Sequence, residues 1–227
     1  MRKIVFIFLL MIAFRYMNGQ DYMRPSNQYN PQVPQPPAAV IHQHKGFLLS
    51  MGLCPIFGTV NDAGNDPSIG RYSIDFDGTG TLFDIRIGGA IAENLFLHGT
   101  IVSTSLIGPS ITGMGLNNFN IGNALSITEG MWGGGITYYL MPSNIFFSGS
   151  IGSGIYSFID DQIKLNLSTA RGFSFQVKAG KEWFVSKKWG LGAALGYLST
   201  NVDNSSGNST EKVTSGRFSI MFNATLN

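Results

Sequence analysis

The chain has 227 residues, a formal net charge of +2, 44% hydrophobic and 12% charged residues. Charged content is about half the usual ~25%, and no basic run of the kind that contacts a phosphate backbone is present, which argues against nucleic acid as a partner. One cysteine allows no internal disulfide, so backbone ladders and packing must hold the fold, and Cys54 reads as a small hydrophobe.

The chain opens "MRKIVFIFLLMIAFRYMNGQ", with Arg2 and Lys3 ahead of an apolar run from Ile4 to Phe14 and small or polar residues at Asn18, Gly19 and Gln20. This predicts a secretory signal peptide over 1–19; the run is far short of the ~20 residues a spanning helix needs. A lipid anchor would need a cysteine at the cleavage point, and Cys54 lies far beyond it. Residues 20–45 carry Pro25, Pro31, Pro34, Pro36 and Pro37 and read as an extended linker, a spacer or a docking strip for a periplasmic partner. His42 and His44 share one side of that extended chain, but two ligands without a third make no metal site.

From Gly46 onward the hydrophobic period is two, which predicts one all-β domain over 46–227. "GFLLSMGLC" sets Phe47, Leu49, Met51 and Leu53 against Ser50, Gly52 and Cys54. Around "TLFDIRIGGA", Phe83, Ile85 and Ile87 oppose Asp84, Arg86 and Gly88. Leu95, Leu97, Gly99 and Ile101 then oppose His98 and Thr100. The fourth strand, about Ser126 to Leu140, sets Trp132, Ile136, Tyr138 and Leu140 against Glu129, Gly133, Gly135 and Thr137. After Pro142 to Asn144, Ile145, Phe147 and Ile151 face away from Ser148, Ser150, Gly152 and Gly154. The sixth sets Phe173, Phe175, Val177 and Trp183 against Ser174, Gln176, Lys178 and Glu182. The seventh sets Leu191, Ala193, Leu195 and Tyr197 against glycine and alanine. The last sets Phe218, Ile220, Phe222, Ala224 and Leu226 against Arg217, Ser219, Met221, Asn223 and Thr225.

Eight strands alternate between short connections, near Glu93, Ser143 and Lys187, and long polar ones at roughly 55–80, 105–123, 159–170 and 201–214. That alternation predicts an up-and-down antiparallel transmembrane β-barrel with short periplasmic turns and longer extracellular loops. A soluble eight-stranded barrel would alternate in the same way with its apolar face inside. The small face, however, is Gly, Ser and Ala with isolated charges, which suits a cramped lumen, while the large apolar face carries Phe83, Trp132, Tyr138, Phe147, Trp183 and Phe218, read as aromatic girdles.

The hairpins "GGGITYYLMPSNIFFSGSIG" and "GKEWFVSKKWGLGAALGY" and the terminal strand resemble the small eight-stranded outer-membrane barrels of Gram-negative bacteria, the group of OmpX, OmpW and the OmpA membrane domain. The resemblance spans about 46–227. It implies an outer-membrane location, lipid and the barrel-assembly machinery as partners, and no single activity, because this fold hosts many functions. Members usually end in an aromatic residue, whereas this chain ends "ATLN".

Six charges are predicted to face inward: Asp84, Arg86, Glu129, Lys178, Glu182 and Arg217. Unpaired, each would cost several kcal/mol, so a ladder pairing the three cations with the three carboxylates is expected. His98 is expected to be a lumen hydrogen-bonder. Its neighbour Thr100 makes "HGT" the only pair resembling a lipid A acylase or deacylase site, and it falls at the wrong end for that chemistry. No catalytic, cofactor-binding or metal residue is assigned: "GTG" at 78–80 and "GGG" at 133–135 are not phosphate cradles, and "NDAGND" and "DFDG" lack the spacing of a calcium loop. The expected role is a non-enzymatic barrel with a structural, adhesion or loop-mediated part in the envelope, with an extracellular or periplasmic protein as partner. The alternatives are a narrow channel for small or apolar solutes, or an accessory barrel of a secretion or envelope assembly.

Overall fold

The computed structural model describes residues 44–120, 125–160, 162–205 and 207–227, all within one compact unit, Ile41–Asn227. The predicted signal peptide, His42 and most of the linker lie outside the described residues. Among the described residues eleven strands form: β1 (Phe47–Asp66), β2 (Gly70–Ala92), β3 (Leu95–Ile107), β4 (Ser110–Gly113), β5 (Leu116–Asn120), β6 (Leu125–Leu140), β7 (Ile145–Asp160), β8 (Leu165–Ser168), β9 (Gly172–Phe184), β10 (Trp189–Asp203) and β11 (Thr210–Leu226). Eight of them close a ring, β1-β2-β3-β6-β7-β9-β10-β11 and back to β1, with every pairing antiparallel. The other three are short additions at one end: β4 and β5 extend β2, and β8 pairs with β7.

Register sets the shape. From Met51 the paired residues run through Ile85, Ile101, Trp132, Ser153, Phe173, Asn201 and Thr214 and return to β1 at Asn61, ten residues further along. With ~3.3 Å per residue and ~4.8 Å between strands, that stagger tilts the strands by about 40°. Each residue then climbs about 2.5 Å along the barrel axis. The bend needed for so narrow a barrel uses glycine at close approaches. Gly133 and Gly152 are paired and point inward, and a Cβ on Gly133 would collide with the carbonyl oxygen of Ile151.

All eight predicted faces are found. Ser50, Asp84, His98, Glu129, Ser148, Gln176, Thr200 and Asn223 are buried inside, while Phe222, Leu195 and Phe218 stand 71%, 67% and 66% exposed outside. Large apolar side chains exposed to that degree all round a closed polar interior make this a bilayer-spanning barrel. Carrying the register round the ring, the outward apolar band runs from Phe47, Trp183 and Trp189 up to Phe57 and Phe173. Its height is about 26 Å, close to the ~25 Å expected of such barrels.

The predicted long connections are corrected. β1 and β2 stay paired from Phe47↔Gly89 to Asp66↔Gly70, so most of 55–80 is strand with a three-residue turn. β10 and β11 likewise run to Asp203 and from Thr210, and a β4–β5 hairpin and β8 occupy parts of the other two loops. Above the bilayer the outer face meets water, so polar residues stand outside and Val60 and Phe76 are buried inside, the reverse of the bilayer pattern, and the segment reads as loop. Cross-strand bonds sustain it there: Asn61 Nδ2 donates to Asp75 Oδ1 at 2.7 Å, and Thr59 Oγ1 donates to Asp77.

Candidate functional site

Parity brings the six predicted charges into the lumen, each 4% exposed or less. Five of them form two groups and not one ladder, and Glu182 stands apart. Near mid-height, Lys178 Nζ donates to Asp84 Oδ1 at 2.7 Å and Arg86 Nε lies 3.3 Å from the same oxygen. The Arg86 fork extends towards the turn end, where Nη1 donates to Thr137 Oγ1 (3.2 Å) and Ser148 Oγ (3.1 Å) and Nη2 to Ser50 Oγ (3.0 Å). Nearer the loop end, Arg217 Nε donates to Glu129 Oε2 at 2.6 Å, and Ser215 Oγ to Glu129 Oε1 at 2.9 Å.

Glu182 departs from the expected pairing. Its Oε1 accepts from Asn223 Nδ2 (2.6 Å), Thr225 Oγ1 (2.7 Å) and the Tyr139 hydroxyl (3.4 Å), with no cation against it. The strand tilt puts Glu182 below Arg86, whose donors are already taken by hydroxyls. Sequence parity gives the face of a residue but not its height, so the partner could not be read from it.

His98 is 3% exposed, with Nδ1 at 3.0 Å from Thr100 Oγ1 and Nε2 at 2.9 Å from Thr137 Oγ1. Both ring nitrogens are engaged by hydroxyls, and Thr100 is shared with Ser150 at 2.9 Å. Several buried polar atoms, including Arg217 Nη1 and Nη2 and Thr104 Oγ1, make no hydrogen bond to another described residue.

Apolar side chains seal both polar groups. One cluster, with Leu48, Cys54, Leu82, Phe96, Met131 and Phe146 among its members, runs beside and between them. A second, including Val60, Phe76, Leu106, Ile127, Tyr156 and Val213, caps the loop end of the lumen. The interior is a packed core that mixes apolar side chains with buried hydroxyls: Ser174 and Thr200, their hydroxyls 2.7 Å apart, lie between the two charged groups, and the Thr200 N–H donates to Ser215 Oγ at 3.3 Å.

The predicted girdle residues fall at two heights. Phe83, Trp132 and Phe218 lie on the loop side of the mid-line through Met51, Ser148 and Phe222; Tyr138 and Trp183 lie on the turn side. Phe147 sits nearer the middle than either rim. Arg171 lies over the Trp132 ring at 5.1 Å and Lys181 over Trp183 at 5.7 Å, one cation at each rim.

Beyond the apolar band the loop end has a different character. Asp62, Tyr72 and Glu211 face inward there, beside a recess of about 400 Å³ lined by Asp66, Tyr72, Asn204 and Glu211 among others. Partial burial, and then the Glu211 carboxylate, push the Asp62 carboxyl up from 3.8 to about 6, against a hydrogen bond from Tyr72. Burial and the carboxylates of Asp62 and Glu211 push Tyr72 up to about 12. Ser68 and Ser209 hold Asp66 below the usual range. On the outer side, Ile69, Met114, Phe119, Ile163 and Leu167 are all more than half exposed, on the β1–β2 turn and on the β4–β5 and β7–β8 hairpins. These apolar tips were not foreseen, because those segments were read as polar loop.

No family model matches the chain, and no curated protein sequence does. Among solved structures, the outer membrane protein OprG from Pseudomonas aeruginosa is 12% identical, covering 82% of this chain and 98% of its own, with a TM-score of 0.49. Neisserial surface protein A is 14% identical over 80% and 96%, with a TM-score of 0.47. Outer membrane protein AlkL in lipid bilayers is 13% identical over 88% and 97%, at 0.45.

Proposed function

We propose that the chain is a sealed outer-membrane barrel of a Gram-negative envelope that acts through its loop-end face, without catalysis or conduction. The observation that carries this reading is the filled lumen. Buried apolar side chains cap the loop end above the two ion-paired groups, and the polar side chains between those groups, Ser174, Gln176 and Thr200, are themselves buried, which supports a lumen filled by side chains rather than an open passage. The exposed apolar tips beyond the bilayer supply the contact surface, since exposed apolar patches rimmed by polar residues mark interaction sites. Its partners are then the lipids around the apolar band, the machinery that inserts it, and a protein met at the loop end.

Planar-bilayer recording of refolded protein tests this. The expected trace shows no discrete openings. Discrete openings whose size changes in Arg86→Ala would overturn the sealed reading in favour of a narrow channel.

A further inference from the structure

His44 precedes the first strand, yet it is fully buried. Its ring is stacked on Tyr139 at 3.8 Å between centroids and on Phe184 at 5.0 Å, with Phe96 edge-on at 6.3 Å. Three asparagines hold it. His44 Nε2 donates to Asn144 Oδ1 at 2.7 Å, its Nδ1 meets the Asn227 side-chain amide, and its backbone N–H donates to Asn94 Oδ1 at 3.0 Å while its carbonyl accepts from the Asn94 N–H at 3.2 Å. Asn94 and Asn144 belong to two different short turns, and both adopt the left-handed backbone conformation, at φ 61° and 53°. The recess is thus assembled from four separate stretches of the barrel around one ring. Directly behind the stacked Tyr139, its hydroxyl donates to Glu182, and Glu182 accepts from Thr225.

We propose that the turn end of the barrel is a binding site for a flat ring with a hydrogen-bonding nitrogen on each edge, which this chain fills with its own His44. The His44 ring is thereby a stopper for the lower lumen. The ring covers the outer face of Tyr139; without it, Tyr139 has an emptied recess to swing into, and the Glu182 group behind it meets solvent. Stacking excludes water and the asparagines select for the ring nitrogens, a division of labour usual in small-molecule sites. The proposal does not depend on whether the barrel conducts.

The test is cysteine labelling of refolded full-length chain carrying C54A and T225C, because Thr225 is buried beside Glu182. With His44 in place, a water-soluble methanethiosulfonate should label it slowly. In H44G labelling should be at least ~10-fold faster, as expected when a local closing contact is removed. Added imidazole should restore the slow rate, and ammonium chloride at the same ionic strength should not. An unchanged rate in H44G would overturn the stopper, as would equal protection by the ammonium salt. H44F, which keeps the stacking without the nitrogens, should label at an intermediate rate; labelling as slow as wild type would assign closure to stacking alone and overturn the hydrogen-bonded site. Heat-modifiable gel migration verifies folding, and H44F carries the test if H44G does not fold.

Discussion

At the scale of single residues, the lumen separates charges that are required from polar groups that are tolerated. Arg217 and Glu129 are both essentially unexposed, and each is the other's compensating charge. Arg217→Met should therefore cost about 3–5 kcal/mol, the usual consequence of leaving one buried charge unpaired, while the double variant with Glu129→Met should recover most of the loss. Urea midpoints of the refolded barrel would check this; a double variant no better than the single would refute the pairing argument. Thr104 is the opposite case. Its hydroxyl is buried without a hydrogen bond to a described residue, so Thr104→Val, similar in shape and free of that desolvation cost, should leave the midpoint unchanged or raise it. A clear drop would mean that the hydroxyl has a partner in solution.

At the scale of elements, the hairpins differ in what holds them. Within the bilayer the ladder has no competing water, whereas at the loop end β1, β2 and β11 bring Asp62, Tyr72 and Glu211 together. The folded-state carboxyl of Asp62, at about 6 against an ordinary 3.8, binds its proton more tightly than in an unfolded chain. Its contribution is then most favourable below about pH 4 and is lost as pH rises through about 6. The β1–β2 and β10–β11 hairpin ends should accordingly exchange amide hydrogens with larger opening constants at pH 7.5 than at pH 5, after correction for intrinsic rates. Asp62→Asn should abolish the difference. A difference of the same size in Asp62→Asn would assign it to another group.

This contrast also explains how much of the fold could be read ahead of the structure. The eight faces were readable because bilayer strands repeat a large apolar residue at every second position, as in Phe218, Ile220 and Phe222. The upper parts of β1 and β2 were not, because the contrast is reversed there: Thr59, Asn61, Asp75 and Asp77 share the outer face, while Val60, Ile74 and Phe76 share the inner one. The partner of Glu182 was missed for a third reason. That Glu182 meets Asn223 depends on two successive registers, Glu182↔Gly192 and Gly192↔Asn223, with a glycine between them leaving the space, and pairing register leaves no local trace. His44 lay ahead of the periodic region and was weighed only beside His42 as a metal ligand; its burial is a property of three distant asparagines.

At the scale of the whole molecule, the arrangement is that of a soluble protein turned partly inside out. The largest exposed side chains form a band, and the buried set mixes arginine, lysine and glutamate with leucine and phenylalanine. Such an exterior is stable only where lipid replaces water. The apolar tips of the β4–β5 and β7–β8 hairpins lie beyond that band, so Phe119→Ser with Leu167→Ser should leave heat-modifiable migration intact, because neither residue belongs to a buried cluster. Loss of the folded band on the gel would show that these tips stabilise the barrel itself.

The most direct test of the account is collisional accessibility of nitroxide labels placed singly at Leu195, Phe222, Ser219 and Asn61 in reconstituted vesicles. Leu195 and Phe222 should be relaxed by oxygen and shielded from a water-soluble nickel chelate, Ser219 shielded from both, and Asn61 open to the chelate. Free access of the chelate to Leu195 and Phe222 would contradict the bilayer-spanning barrel.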